Sequence, residues 1–128
     1  MAHTHTLAAR ASLLVVEDHA VSREALAEML RAEGYVVETA ADGSEGLGVL
    51  TKGFRPRAIL LDLMMPGIDG WDFRAHLKRA PELAAIPVIA ISAAGRLVDA
   101  EHSLPKPVQI DQLLALLRRV VISPCSSS

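Results

Sequence analysis

The sequence predicts an α/β chain in which a parallel sheet of five strands is covered by helices on both faces. Three observations carry that prediction. Short apolar runs such as Leu13-Leu14-Val15-Val16 and Ala58-Ile59-Leu60-Leu61 show no polar alternation, which suits strands buried on both faces. Between the runs lie stretches with apolar residues three to five apart, the spacing of an amphipathic helix. Strands that alternate with helices imply right-handed crossovers and therefore a parallel sheet.

The elements follow in order. Residues 13–16 form the first strand. Residues 20–33 form a helix whose apolar positions Val21, Ala25, Leu26, Met29 and Leu30 share one face, and Gly34 stops it. Residues 35–39 alternate and give a short second strand. Asp42 and Glu45 resemble a capping box opening a helix toward Leu50. Gly46 and Gly48 weaken that helix, by about 1 kcal/mol each relative to alanine.

The third strand is 58–62, and a helix over 69–79 turns Phe73 and Leu77 inward. Residues 87–91 form the fourth strand. Ile110, Leu113, Leu114, Leu117 and Val121 make one stripe on a final helix over 110–121. Residues 93–105 are few for a crossover, so at most two helical turns are expected around 96–101. The fifth strand, 103–106, is short, and Pro105 lacks an N–H, which assigns the strand to an edge.

The chain has 128 residues, 51% apolar, enough for one domain with an aliphatic core, since aromatics are only 3%. A formal net charge of −2 gives no basic field for nucleic acid or an anionic membrane. The lone Cys125 excludes an intramolecular disulfide and fits a reducing compartment. No apolar stretch has the length of a signal peptide or a membrane span. The expectation is a cytoplasmic domain over residues 11–122, with flexible ends at 1–10 and 123–128.

Two strands deliver acids to one edge: Glu17-Asp18 end the first apolar run and Asp62 ends the third. Three carboxylates at ordinary contact distances repel one another by about 3–4 kcal/mol per pair at an effective dielectric near 20. A hard cation such as Mg²⁺ relieves that repulsion and leaves positions for phosphate oxygens. Asp62 can then attack phosphorus and form a mixed anhydride. Taken alone, Asp18 could instead cap the first helix. His19 is expected to be a surface residue, Trp71 to pack on a flank, and Asp69 and Asp72 to serve a helix N-terminus.

These residues resemble the receiver domain of bacterial response regulators. The marks are Glu17-Asp18 after the first strand, Asp62 after the third, Ser92 after the fourth and Lys106-Pro107 after the fifth. Pro66, Gly67, Asp69 and Gly70 match the family loop that follows the phosphorylated aspartate. The resemblance covers roughly residues 12–121. It implies a flavodoxin-like three-layer sandwich with strand order 2-1-3-4-5. It also implies Asp62 as phosphoacceptor, with Ser92 and Lys106 holding phosphoryl oxygens. Glu17, Asp18, Asp62 and the Met64 backbone carbonyl would hold Mg²⁺, and Lys106-Pro107 would be cis.

The implied function is a single-domain response regulator phosphorylated by a sensor histidine kinase or phosphotransfer protein. It would signal by protein contacts, without direct nucleic acid or membrane binding. Such a protein is not a conventional enzyme, although it catalyses its own phosphorylation and dephosphorylation. The sequence departs from the family in two places. Ser103 stands where receivers carry an aromatic, and the interval from Ser92 to Lys106 is short, which reduces the crossover helix used for dimerisation or output. Output is therefore expected through another surface, or the domain mainly relays phosphate. Met64 and Ala94 occupy positions that tune phosphoaspartate hydrolysis in the family. Neither can orient water, so slow decay is expected.

Three alternatives exist. A pseudo-receiver would serve as a phosphorylation-independent scaffold. A flavodoxin-like cofactor binder conflicts with the acidic, glycine-free turn after the first strand. A metal-dependent phosphatase would need a second aspartate two residues after Asp62, where Met64 stands.

Overall fold

A computed structural model describes residues 11–62, 70–93 and 102–122. Its elements are β1 (Ser12–Val16), α1 (Ala20–Ala32), β2 (Val36–Ala40), α2 (Gly43–Thr51), β3 (Ala58–Asp62), α3 (Gly70–Arg79), α4 (Pro81–Ala84), β4 (Val88–Ala93), β5 (His102–Lys106) and α5 (Ile110–Ile122). The five strands form one sheet in the order β2-β1-β3-β4-β5, every pair parallel. The expected fold and strand order are both present, with β5 at an edge.

Each central strand divides its side chains between two cores, as unbroken apolar runs require. Leu13, Val15, Leu60, Ile89 and Leu104 pack with Ala27 and Leu30 of α1 and with Leu113, Leu117 and Val121 of α5. Leu14, Val16, Ile59, Leu61 and Ala90 pack with Leu50 of α2 and with Phe73 and Leu77 of α3. On β5, Leu104 faces the first core while Ser103 and Pro105 are exposed.

Several local details differ from the sequence reading. The buried face of α1 is Ala27 and Leu30, flanked by Leu26 and Met29, whereas Val21 is 75% exposed. Val21 is in the first turn of the helix, and among the described residues it is left largely uncovered. The short α4 was not expected; Pro81 at its start supplies the fixed φ that suits a first helical turn. The Asp42 carboxylate accepts the Glu45 N–H at 2.8 Å, but Glu45 reaches back to the Ala41 N–H rather than to the cap residue itself.

The expected turns at 96–101, along with Met64, Pro66, Gly67, Asp69, Ala94 and both chain ends, lie outside the described residues. So do the side chains of Trp71, Asp72 and Ser92.

Candidate functional site

In a parallel sheet all strands end on the same rim, so residues distant in sequence meet there. Glu17 and Asp18 follow β1, Asp62 closes β3 and Lys106 closes β5. Glu17, Asp18 and Asp62 each offer a carboxylate oxygen, and these oxygens lie within 4.8 Å of one another. Asp62 is 2% exposed and Glu17 8%, while Asp18 faces solvent. Lys106 Nζ donates to Asp62 Oδ2 at 3.0 Å, a charge-assisted bond. The Lys106-Pro107 peptide is cis. The backbone of Ser92 pairs with Pro105 on the same rim.

Glu17 is held at three points. Its N–H donates to the Ala40 carbonyl at 3.0 Å, continuing the β1–β2 ladder one residue past the strand. Its carbonyl accepts from Arg23 Nη1 at 3.0 Å, and its Oε2 accepts the His19 N–H at 3.0 Å. Burial is the main force pushing the Glu17 carboxyl above its ordinary value. The His19 N–H pulls it back, the charge of Asp62 and a hydrogen bond with Asp62 raise it again, and the Lys106 ammonium lowers it. Two buried acids this close repel one another, and the Lys106 ammonium on Asp62 offsets part of that repulsion.

The residue that caps α1 is His19, not Asp18: the His19 ring accepts the Ser22 N–H through Nδ1 at 3.4 Å. The Asp18 carboxylate is thereby left in the acid cluster. The donor set there is all oxygen and bears three carboxyl groups, one of them solvent-facing, which fits a hard divalent ion that keeps some of its waters.

Sequence reasoning missed Arg23. A helical side chain leans toward the N-terminus of its helix, so a cation one turn into α1 reaches back over the preceding loop. The signal was present, but only once the helix start was fixed.

Residues 13–118 match the family model for the response regulator receiver domain. The chain belongs to that family. The receiver is 35% identical over 117 residues to the response regulator MprA of Mycobacterium sp. (strain KMS), covering 85% of this chain and 50% of that protein. It is 37% identical over 114 residues to the transcriptional regulatory protein TcrA of Mycobacterium tuberculosis, covering 83% of this chain and 44% of that protein. The receiver thus spans about half the length of these curated relatives.

Among solved structures it is similar to chemotaxis protein CheY4 of Vibrio cholerae, with a TM-score of 0.79 and 30% identity, covering 86% of this chain and 98% of that one. It is also similar to the receiver domain of a sensor histidine kinase from Pseudomonas aeruginosa, with a TM-score of 0.80 and 28% identity, covering 88% of this chain and 98% of that one. In that neighbour a magnesium ion is coordinated in the active-site cleft. Among the described residues no helix is long and apolar enough to cross a membrane.

Proposed function

We propose that this receiver accepts a phosphoryl group on Asp62, with Mg²⁺, from a sensor histidine kinase or phosphotransfer protein, and relays the signal by protein contacts. The observation that carries the proposal is the setting of Asp62. Its carboxylate is 2% exposed, bonded to Lys106 Nζ at 3.0 Å, and within 4.8 Å of ligand atoms on Glu17 and Asp18.

Glu17, Asp18 and Asp62 would hold the ion, with Met64 supplying a backbone carbonyl as the family resemblance implies. The ion would supply charge neutralisation at the phosphoryl oxygens. An Asp62 carboxylate oxygen forms the new bond to phosphorus, and the donor's bond to phosphorus breaks with its electron pair leaving on the donor. Lys106 then moves its hydrogen bond from the carboxylate to a phosphoryl oxygen, and the Ser92 hydroxyl would take another.

A cavity of about 810 Å³ lies beside the rim between α1 and the segment after β5, lined in part by Leu26, Met29, Pro107 and Val108. Its apolar walls and its access to Lys106 suit a protein phosphodonor approaching from that side. A phosphorylation-independent scaffold would not need Glu17, Asp18, Asp62 and Lys106 to stand together.

Incubating the chain with acetyl phosphate tests the proposal. An acid-labile phosphate should form with Mg²⁺, disappear with chelator, and be absent from Asp62→Asn by mass spectrometry. Phosphate that persists in Asp62→Asn, or none with any donor, would overturn it.

A further inference from the structure

We propose that Arg23 is a positioning residue for the cation site: by holding the Glu17 carbonyl, its guanidinium sets where the Glu17 and Asp18 carboxylates stand. The inference rests on reading the acid cluster as a Mg²⁺ site.

The pairing of β1 with β3 ends at Val16 and Leu61, so Glu17 and Asp18 stand on a loop rather than in the full ladder. The Glu17 N–H still has a partner on β2. Its carbonyl is met by Arg23 Nη1 at 3.0 Å, from a different element. That bond and the Ala40 bond fix both ends of the Glu17 residue, and the His19 N–H fixes its carboxylate.

The Arg23 side chain is 18% exposed. Its contact with Glu24 is longer, 3.6 Å, and Glu24 is 59% exposed, so that pair contributes little. The planar fork of arginine suits a fixed carbonyl better than a flexible ammonium would.

The rim therefore uses two cations differently. Lys106 bonds the Asp62 carboxylate itself. Arg23 bonds a neutral peptide oxygen and orients the two neighbouring acids while leaving their oxygens available for a metal. Groups that orient metal ligands in this way typically change metal affinity about 10- to 100-fold when removed.

Calorimetric titration of the whole chain with Mg²⁺ tests the assignment. Arg23→Met should raise the Mg²⁺ dissociation constant by about 10- to 100-fold. Its rate of phosphorylation by acetyl phosphate should return to the parent value at saturating Mg²⁺, so the defect appears in metal dependence and not in the saturated rate. If Arg23→Met does not fold, Arg23→Gln carries the comparison, since it keeps an N–H donor but lacks the reach: weaker Mg²⁺ binding supports the assignment and unchanged binding overturns it. Binding as tight as the parent's or tighter in Arg23→Met, or a lost saturated rate with unchanged affinity, would also overturn it. A parent chain that binds no Mg²⁺ would defeat the underlying metal reading, whereas parent binding that Arg23→Met leaves unaltered defeats only this inference.

Discussion

Burial and the neighbouring Asp62 hold the Glu17 carboxyl above its ordinary value of 4.5, and that fixes the sign of a pH effect. A group whose value is raised on folding stabilises the fold fully below its unfolded value and loses that contribution as pH rises through the folded value. Metal-free protein should therefore lose stability from this group as pH climbs above about 4.5. Glu17→Gln should remove that component and be the more stable chain at neutral pH without metal. Urea unfolding of both chains across this range checks the difference, and a parent curve that parallels the variant would contradict it.

Decay of the phosphorylated form belongs to the same scale. Met64→Asn or Ala94→Glu would place a polar group where the family tunes hydrolysis, and at least one should alter the decay rate measured by loss of phosphate. Asp62 and Lys106 were legible because each ends a recognisable strand. The roles of His19 and Arg23 were not, because both depend on where α1 begins relative to the loop.

On α2, two glycines that look alike in sequence differ in their surroundings. A Cβ on Gly46 would sit 3.1 Å from Phe73 Cε1 and 3.3 Å from Val16 Cγ2, so alanine fits there only if these fully buried side chains give way by a few tenths of an ångström. A Cβ on Gly48 would meet nothing within 4 Å. Gly48→Ala should stabilise the protein by about 1 kcal/mol through helix propensity. Gly46→Ala should destabilise it by about 1–3 kcal/mol through overpacking. Denaturant midpoints measure both, and equal effects would show that the packing argument is wrong. Periodicity located α2 and its cap, but only the packing of α2 on Phe73 distinguishes the glycines. The α1 stripe failed for a related reason: periodicity marks an apolar face, while the end of the sheet decides which turns of that face are covered. For α5, Leu113, Leu117 and Val121 lie over the sheet and are buried as the stripe indicated, and Ile110 in the first turn is 41% exposed.

Across the whole molecule, the parallel order β2-β1-β3-β4-β5 turns three strand ends into one chemical site. The apolar runs made that order readable through the family resemblance, and the acids at their ends marked the rim. At the β5 edge, Ser103 is exposed. The relatives extend well beyond the matched region. The central claim is that the three clustered acids are made compatible by a divalent ion. Calorimetric titration of the parent chain with Mg²⁺ addresses it most directly: one saturable binding event, lost in Asp62→Asn. Absence of binding in the parent, or equal binding in Asp62→Asn, would contradict it.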